Sequence, residues 1–584
     1  MMEMKNCYRD ITIKEIGEQH IGQTIRVAGW VENIRDHGGV SFIDLRDMYG
    51  VLQVVIRRDN LLKGLVKETC VTIEGCVEKR DEDTYNPKLP TGTIELEAKE
   101  ITVLGKVYQR LPFEVMTSKE TREEVRLIYR YLDLRNAKVR DNILFRSQVI
   151  AFLRQKMTEM GFVEIQTPIL CASSPEGARD YIVPSRKFKG KFYALPQAPQ
   201  QYKQLLMVSG IDRYFQIAPC FRDEDARADR SPGEFYQLDF EMSFATQEDV
   251  FRVGEEVLSA AFEKFAPEGA VITQAPYPVI SYKQAMLEFG CDKPDLRNPL
   301  RILDVTEFFQ KCTFKPFLGR TVRAIKVQED MSKRFHEKLL QFAVSLGMGG
   351  LGYLEVAEDL SYKGPIDKYI PVELKSELRE LAGLAVGDTI FFIADKEERA
   401  CYYAGKIRSE LGEKLGLMEK NAFRFCYVND FPMYEIDPDT KQLTFTHNPF
   451  SMPQGGMEAL EQKDPLEILA YQYDIVCNGI ELSSGAVRNH DKDIMIKAFA
   501  LAGYDEEALK KKFGALYQAF QFGAPPHAGM APGVDRMLML LRGEENIREV
   551  IAFPMSGSAQ DLLCGAPGDV TEQQLREVHI KVRD

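Results

Sequence analysis

Two arginines in the sequence stand where they could bind phosphate groups. Arg222 ends the strand-like run YFQIAPCFR and begins the charged loop FRDEDARADRSPGEF. Beside the polar face of a neighbouring strand, its planar guanidinium could satisfy two phosphate oxygens at once. Arg536 lies in the first turn of an amphipathic helix predicted to begin near Gly533, where the helix dipole disfavours a cation. That position predicts an anionic ligand at the helix start, and the alternative is a surface arginine that reaches solvent.

The strand after the charged loop, FYQLDFEMSF, has one polar and one apolar face, because alternate side chains of a strand share a face. The polar face consists of Phe235, Gln237, Asp239, Glu241 and Ser243. The apolar face, expected to be buried, consists of Tyr236, Leu238, Phe240, Met242 and Phe244. A polar face with one aromatic residue at its mouth suits a small polar ligand with a planar base stacked above it. The alternative is an ordinary half-exposed strand.

The segment YDIVCNGIELSSGAVR contains Asn478-Gly479, the strongest short signal for a two-residue hairpin turn. Such a turn pairs Val476 with Glu481 and Asp474 with Ser483. The two carboxylates then lie on one face as diagonal neighbours and repel each other unless a cation joins them. Hard oxygen ligands suit Mg²⁺ that bridges phosphates, and the alternative is a solvated hairpin with incidental acids.

Composition limits the class of protein. A chain of 584 residues is too long for one core and indicates three or four domains. It has no apolar run of bilayer length and no secretory signal, and its 11 cysteines form no CxxC pair, so we expect a cytoplasmic protein with reduced thiols and no membrane contact. The net charge of −13 argues against a nonspecific nucleic-acid binder but not against an enzyme that holds RNA at local patches.

The elements that must position these residues divide the chain into blocks. Period-two alternation with Gly-rich turns in the first hundred residues predicts a five-stranded barrel, either an OB-fold or an SH3-like barrel. A helix is predicted from Val139 to Met160, ending at Gly161. Mixed strands and helices follow. A block rich in Lys and Glu, around residues 291–420, separates them from further strands and is predicted to be a domain inserted into the catalytic one.

At this point the motifs carry a resemblance. The loop FRDED…R…EF with its polar strand, the segment GVDRMLMLL and the segment GFVEIQTPIL resemble the second, third and first motifs of class II aminoacyl-tRNA synthetases. The resemblance implies that Arg222 binds the α-phosphate of ATP, that Phe235 stacks on adenine and that Arg536 binds the γ-phosphate. Arg222 and Arg536 are then the catalytic residues, and Pro168 lies at a homodimer interface. The implied ATP-binding set is completed by Asp223, Glu224, Ser231, Glu481, Gly533, Val534 and Asp535, with Mg²⁺ on Asp474 and Glu481.

The segments SSPEGARD and FYALPQAPQQYKQLL, together with Arg488, resemble the bacterial-type aspartyl-tRNA synthetases. The implied substrate is L-aspartate, whose carboxylate pairs with Lys203 and Arg488. Asparagine would leave these cations unpaired, which disfavours the alternative of an asparaginyl enzyme. The other residues implied to bind aspartate are Glu176, Gln200, Gln201, Tyr202, Arg222, Asp239 and His447. Two positions depart from the family pattern: Asn448 stands where many relatives have a second His, and Ala198 stands where Ser is common.

The implied fold class is a multidomain α+β protein with an N-terminal OB-fold barrel, an antiparallel-sheet catalytic domain and an inserted α+β, GAD-like domain. The predicted ranges are 1–107 for the anticodon-binding barrel, 108–140 for a linker, 141–287 and 421–557 for the two parts of the catalytic domain, 288–420 for the insertion and 558–584 for a C-terminal extension.

The resemblance also implies partners in protein biosynthesis. Arg35, Phe42 and Gln53 occupy positions that read the anticodon of tRNA-Asp, although Phe42 could instead belong to the barrel core. His37 and Asp83 fall where the family differs between enzymes that charge only tRNA-Asp and those that also charge tRNA-Asn. The sequence DHGG around His37 favours the relaxed kind. The alternatives are an enzyme specific for tRNA-Asp and a catalytically silent RNA-binding protein.

Overall fold

The computed structural model describes residues 5–173, 178–329 and 331–583. It contains two compact units, Met1–Glu114 and Val115–Asp584, which are described separately. Within the described ranges, the structure has no helix that combines the length and the apolar character needed to cross a bilayer. The domain boundaries predicted inside the second unit stay predictions.

The first unit is a closed five-stranded barrel. Its strands are β1 (Thr24–Asp36), β2 (Ser41–Arg46), β3 (Val51–Ile56), β4 (Cys70–Lys79) and β5 (Ile94–Gly105). They close in the order β1-β2-β3-β5-β4, and every pair is antiparallel except the parallel pair β3–β5. Buried and partly exposed residues alternate along β4, so one set of side chains fills the barrel while the other faces outward. The predicted five-stranded barrel is confirmed.

The strands of the second unit, β6 to β24 in chain order, are Val163–Glu164, Ile182–Pro184, Phe192–Ala194, Arg213–Arg222, Gly233–Ser243, Val271–Ile272, Val279–Ser281, Ile302–Asp304, Thr321–Val327, Gly352–Val356, Tyr362–Lys363, Thr389–Asp395, Ala422–Phe423, Phe425–Asn429, Tyr434–Ile436, Leu443–Phe445, Gln472–Cys477, Ile480–Val487 and His527–Met530. Its helices, α1 to α15, are Glu123–Ile128, Arg130–Asp133, Ala137–Glu159, Gln200–Val208, Gln247–Phe265, Tyr282–Phe289, Thr306–Gln310, Lys333–Ser345, Lys375–Ala382, Glu397–Lys414, Gly456–Gln462, Lys492–Leu501, Glu506–Ala519, Val534–Arg542 and Glu572–Glu577.

The largest sheet has eight strands in the order β12-β19-β22-β23-β24-β10-β9-β6. All neighbours are antiparallel except the outer pairs β12–β19 and β9–β6. Helices α3, α5 and α14 contribute to the core on one face of this sheet. The predicted faces of β10 are confirmed for Leu238, Phe240 and Met242, which lie in that core. Phe244 is an exception: β10 ends one residue earlier, and Phe244 has a φ of 55° and is exposed.

A separate five-stranded antiparallel sheet, β13-β14-β17-β15-β16, lies within the range predicted as an insertion. Alternate residues of β14 point to opposite faces. Val322 and Ala324 belong to one hydrophobic cluster, while Ile325 and Val327 belong to another. Both faces of this sheet are therefore covered.

Helix α3 follows its sequence pattern closely. It was predicted over Val139 to Met160 and is observed over Ala137–Glu159. The side chain of Asn136 caps its start by accepting a hydrogen bond from the Lys138 amide at 3.0 Å. Gly161, with a φ of 81°, follows the end of the helix and turns the chain into β6.

At Gly529, β24 lies too close to β10 to leave room for a side chain. Gly529 is paired with Glu241, and a Cβ at this position would overlap the Phe240 carbonyl oxygen and the Glu241 carboxylate. We expect Gly529→Ala to lower the free energy of unfolding by about 1–3 kcal/mol because the sheet must distort to make room. The control is Gly557→Ala, where nothing lies within 4 Å of the added carbon. Urea unfolding followed by circular dichroism measures both, and equal stability of the two variants would contradict the expectation.

Candidate functional site

One cavity of about 500 Å³ lies in the second unit, on the polar face of the eight-stranded sheet. It collects most of the residues that the sequence predicts to bind ATP or aspartate. Those lining it are Gln200, Lys203, Arg222, Glu224, Ser231, Phe235, Asp239, His447, Glu481, Arg488, Gly533, Asp535 and Arg536. Ala198 and Asn448, the two departures, line it as well.

Several predicted site residues have other positions. Those described but not lining the cavity are Gln201, Tyr202, Asp223, Asp474 and Val534. Val534 is fully buried in the core beneath the sheet. Asp474 is buried in β22, next to the strand that carries Glu481. Glu176 lies outside the described residues, so its predicted contact with aspartate stays a prediction.

Arg222 and Phe235 lie side by side at the mouth of the cavity. Arg222 ends β9, and the antiparallel register pairs it with Gly233, which brings Phe235 close to it. The guanidinium carbon lies 5.0 Å from the centre of the Phe235 ring. Arg222 Nε is buried and, in the part of the chain that the structure describes, donates no hydrogen bond. A donor left open beside an aromatic ring suits a phosphate attached to a stacked base.

Arg536 is held by backbone from two directions. Its Nη1 donates to the Glu481 carbonyl oxygen at 2.6 Å, and its Nε donates to the Asp229 carbonyl oxygen at 3.2 Å. Within the loop after Arg222, Glu224 forms an ion pair with Arg230. Charged side chains of the loop therefore pair with one another, and the loop contacts the start of α14 through Asp229 and Arg536.

Asp535, beside Arg536, links α14 to β10. Its Oδ2 accepts a hydrogen bond from the Tyr236 amide at 2.8 Å, and its Oδ1 pairs with Arg146 of α3. Both carboxylate oxygens therefore have protein partners. This arrangement fixes the start of α14 against β10, the strand that carries Phe235.

The hairpin of β22 and β23 differs from its predicted register. Val476 does face Glu481 across the predicted turn. Asp474, however, faces Ser484 rather than Ser483, so that pairing was wrong. The reason is a β-bulge: the register shifts between Ile475 and Val476, which leaves Leu482 as an extra residue in β23.

The two hairpin carboxylates have different surroundings. Asp474 is 4% exposed, and its Oδ1 accepts no hydrogen bond from the described residues. Burial raises the pKa of Asp474 well above its ordinary value, and the Glu481 charge raises it further. Glu481 lies at the cavity wall, 3.4 Å from the ammonium of Lys293. An orphaned carboxylate oxygen beside a second carboxylate fits a divalent cation.

In the described parts of the chain, no group of three or more His, Cys, Asp or Glu is placed to hold a metal ion. A cation on Asp474 and Glu481 therefore needs further oxygens from a ligand or from water. Mg²⁺ commonly binds in this way, through one or two carboxylates plus substrate phosphates. Asp474 and Glu481 therefore fit the predicted Mg²⁺ when phosphate or water oxygens complete its coordination.

Deeper in the cavity, four charged side chains form a buried cluster. Lys203 Nζ lies 2.6 Å from Asp239 Oδ1 and 3.4 Å from Glu241 Oε2. Arg488 donates to both Glu241 oxygens, at 2.8 and 3.2 Å. Burial raises the pKa of Asp239, and Lys203 only partly opposes it. Burial also acts on Glu241, but Arg488 and Lys203 more than offset it, so the pKa of this carboxyl lies below its ordinary value.

Glu241 was not assigned a role from the sequence, although the alternation placed it on the polar face with Asp239. The Glu241 carboxylate balances the charge of Arg488 and fixes the position of its guanidinium. Asp239 pairs with Lys203 instead. Within the described chain, Asp239 Oδ2 accepts no hydrogen bond of good geometry, although the Tyr214 hydroxyl lowers the pKa of this carboxyl. The cluster thus offers an open acceptor for a ligand ammonium next to two cations for a carboxylate.

A chain of amides orients Gln200 at the cavity wall. Asn448 Nδ2 donates to Gln200 Oε1 at 3.2 Å, and Gln200 Nε2 donates to Gln204 Oε1 at 3.1 Å. Gln204 Nε2 lies 3.0 Å from His527 Nε2, while His527 Nδ1 lies 2.8 Å from the Pro525 carbonyl oxygen. Because that carbonyl can only accept, Nδ1 carries the proton and Nε2 accepts from Gln204. Burial lowers the pKa of His527, which keeps this neutral form.

His447 is one of the residues predicted to bind aspartate. It follows β21 and lines the cavity, with its ring edge-on to Phe431 at 5.1 Å. Burial lowers the pKa of His447, and the nearby Glu481 opposes that effect. A neutral imidazole at this place can donate one hydrogen bond and accept another.

The barrel unit carries the residues predicted to contact the anticodon. Phe42 and Asp44 alternate with the core residue Ile43, so Phe42 lies on the outer face of β2 and is half-buried rather than part of the barrel core. Arg35 donates to Asp44 Oδ1 at 2.8 Å and to Gln53 Oε1 at 3.2 Å. The strand pairings put all four polar and aromatic side chains on one outer face.

The two predicted discrimination residues lie in loops of the same unit. The His37 ring meets the Phe42 ring edge-to-face, with the centres 5.6 Å apart. Asp83 is exposed in the loop between β4 and β5. His37 therefore contacts Phe42, while no contact of Asp83 with that face is observed among the described residues.

The buried cluster generates a stability prediction. We expect Glu241→Gln to lower the free energy of unfolding by about 3–5 kcal/mol, because Arg488 would be left as a buried charge without its bidentate partner. The matched control is Glu256→Gln, which removes the charge of an exposed carboxylate on α5 that pairs with Lys156 of α3. Thermal and urea unfolding measure both variants. A loss for Glu241→Gln no larger than that of the control would contradict the role of this pair.

Comparison with known proteins bears on the whole chain. Residues 122–557 match the family model for class II tRNA synthetases (D, K and N), and residues 25–104 match the OB-fold nucleic acid binding domain. The chain is 53% identical to "Aspartate--tRNA ligase" of Streptomyces coelicolor, over 99% of both chains. It is 54% identical to "Aspartate--tRNA(Asp/Asn) ligase" of Zymomonas mobilis, over 99% of this chain and 98% of the relative.

Among solved structures, a putative aspartyl-tRNA synthetase from Leishmania major matches with a TM-score of 0.59 and 19% identity, covering 95% of each chain. Asparaginyl-tRNA synthetase from Pyrococcus horikoshii, complexed with asparaginyl-adenylate, matches with a TM-score of 0.56 and 19% identity, covering 93% of this chain and 97% of that one. At this identity the likeness shows the fold. The fold class and the family resemblance predicted from the motifs are confirmed: the chain belongs to the class II tRNA synthetases of the D, K and N group, with an N-terminal OB-fold domain.

Proposed function

We propose that the chain is an aspartate–tRNA ligase that activates L-aspartate with ATP and transfers it to the 3′ end of tRNA. The observation that carries the proposal is the cavity of about 500 Å³ in which the open guanidinium of Arg222 and the side chain of Arg536 adjoin the buried cations Lys203 and Arg488. The names of the relatives at 53–54% identity agree with it.

In the first step, an α-carboxylate oxygen of aspartate attacks the α-phosphorus of ATP, and the bond to the β-phosphate oxygen breaks. The products are aspartyl-adenylate and pyrophosphate. No side chain needs to act as the nucleophile. Arg222, with its open Nε, would stabilise the charge on the α-phosphate, and Arg536 would hold the γ-phosphate. Phe235 would stack on adenine. In the second step, a terminal ribose hydroxyl of tRNA attacks the aspartyl carbonyl carbon, and AMP leaves.

Asp474 and Glu481 are the residues that would hold Mg²⁺. When bound there, Mg²⁺ would neutralise charge on the phosphates of ATP. The orphaned Asp474 Oδ1 supports this assignment.

The substrate choice follows from the buried cluster. Asp239 would accept a hydrogen bond from the aspartate ammonium through Oδ2. Gln200, which lines the same cavity, is oriented by its hydrogen bond to Gln204. Lys203 and Arg488 would pair with the side-chain carboxylate. The neutral amide of asparagine would gain less than a carboxylate from Lys203 and Arg488, which keep Asp239 and Glu241 as their partners in the chain, so the two cations favour aspartate.

The barrel unit would bind the anticodon by stacking a base on Phe42 and by hydrogen bonds from Arg35 and Gln53. The edge-to-face contact of His37 with Phe42 supports a role for His37 in anticodon choice. With the DHGG sequence, it favours charging of tRNA-Asn as well as tRNA-Asp. Similar proteins carry the names aspartate–tRNA ligase and aspartate–tRNA(Asp/Asn) ligase, at 52–54% identity.

We place this activity in the cytoplasm and infer a homodimer. The predicted interface residue Pro168 is followed by Ile169 and Leu170, which are 41% and 54% exposed. The strand pair β7–β8 lies next to them through the bridge of Cys171 to Ala194, and it exposes further apolar side chains. A second copy of the chain would cover this apolar surface.

Arg222→Ala tests the activation step. We expect aspartate-dependent exchange of pyrophosphate into ATP to fall by at least about a hundredfold, because charge stabilisation in a closed cavity is lost. The control is Arg252→Ala, an exposed arginine on α5. Near-normal exchange in Arg222→Ala, with the variant folded as judged by circular dichroism, would count heavily against the scheme.

Charging of purified tRNA-Asp and tRNA-Asn transcripts with labelled aspartate tests the choice of tRNA. We expect both to be charged by the wild-type chain. We expect Phe42→Ala to lower kcat/KM for both tRNAs by about ten- to a hundredfold without changing pyrophosphate exchange, since one stacked base is worth about 1–3 kcal/mol. Charging of tRNA-Asp alone would establish the specific form of the enzyme instead.

A further inference from the structure

Lys293 lies beside Glu481, one of the two carboxylates of the proposed metal site. Its Nζ lies 3.4 Å from Glu481 Oε2 and 2.6 Å from Asp292 Oδ2. Lys293 also acts electrostatically on Asp474, whose Oδ1 is buried and accepts no hydrogen bond from the described residues. Glu481 and Asp292 keep the ammonium charged despite burial, since they raise the pKa of Lys293.

The backbone that carries Lys293 is firmly held. It follows α6, where Gly290 packs directly against Gly405 of α10. Arg408 of α10 donates to the carbonyl oxygens of Asp295, Asn298 and Leu300 at 2.8–2.9 Å. Lys293 therefore reaches Glu481 from a segment fixed by three hydrogen bonds.

The same segment touches the hairpin that carries the metal-site carboxylates. A Cβ added to Gly479 would lie 3.2 Å from the Asp295 side chain, so the turn of the β22–β23 hairpin fits against residues 292–298. Arg424 joins this contact, because its amide donates to Asn478 Oδ1 at 2.9 Å. The position of the ammonium relative to Glu481 and Asp474 is thus set by packing on both sides.

We propose that Lys293 is a built-in counter-ion for Glu481 of this site. Its ammonium balances Glu481 while no metal is bound and withdraws toward Asp292 when a divalent cation binds. The physical reason is that a carboxylate pair cannot face both an ammonium and a dication at short range without strong repulsion between the two cations. The inference rests on the proposed function, since it assumes that Asp474 and Glu481 are the metal ligands.

The test uses Mn²⁺ as the probe and the full chain without nucleotide. Free Mn²⁺ is followed by electron paramagnetic resonance during titration. We expect Lys293→Met to bind Mn²⁺ at least about tenfold more tightly than the wild type, because one nearby positive charge is removed. Lys293→Arg, which keeps the charge, should stay near the wild type. The matched control is Lys283→Met, an exposed lysine on α6. Binding by Lys293→Met that is unchanged or weaker overturns the proposal.

A measurement on the wild type covers the case in which Lys293→Met does not fold. The acetylation rate of Lys293 is measured by peptide mass spectrometry with and without Mn²⁺, with Lys283 as the internal reference. Withdrawal from Glu481 should raise the rate for Lys293 alone. A rate that Mn²⁺ leaves unchanged or lowers overturns the proposal.

Glu481→Gln separates this inference from the proposed function. If it abolishes Mn²⁺ binding while Lys293→Met fails to tighten it, the counter-ion role is wrong and the metal site stands. If Glu481→Gln leaves Mn²⁺ binding unchanged, both the metal site and the role of Lys293 are wrong. Aspartate activation is measured independently by pyrophosphate exchange.

Discussion

The buried contact of Arg488 with Glu241, next to that of Lys203 with Asp239, constrains the whole catalytic unit. Removing such charges from water costs several kcal/mol per ion unless each has a well-placed partner. Both carboxylates come from β10, while the cations come from α4 and from the end of β23. A shift of β10 by one residue would turn both acids into the apolar core and leave both cations unpaired. The register of β10 with β9 and β24 is therefore as important for the cavity as the charged residues themselves.

Contacts within the chain hold the charged groups of the cavity in place. The loop after β9 is braced by Glu224 and Arg230, and Arg536 is held by two backbone carbonyl oxygens. Binding of a charged ligand is then mainly an exchange of partners among groups that already point into the cavity. Little reorganisation is needed at the moment of reaction, which is the condition under which fixed charges stabilise a transition state most effectively.

The sequence allowed the local parts of this arrangement to be predicted. Period-two alternation identified the polar face of β10, and helical spacing with Gly161 identified α3 almost to its ends. The bulge at Leu482 could not be predicted, because the turn signal at Asn478-Gly479 determines only the first pairs of the hairpin. The partner of Glu241 was equally hidden, since Arg488 lies 247 residues away in the chain. The family resemblance supplied the common site, whereas the contacts that hold it depend on the packing of distant elements.

The departure at Asn448 illustrates how chemistry can be kept while the residue type changes. Asn448 Oδ1 accepts a hydrogen bond from the Phe450 amide at 2.8 Å, while its Nδ2 donates to Gln200. A neutral imidazole also has one donor and one acceptor. The amide therefore performs both tasks, and it cannot lose its acceptor by protonation. Because Gln200 passes its own donor to Gln204 and onward to His527, the orientation of Gln200 is determined from both ends of the chain of amides. Because the Asn448 amide does not titrate, its hydrogen bond to Gln200 does not depend on pH.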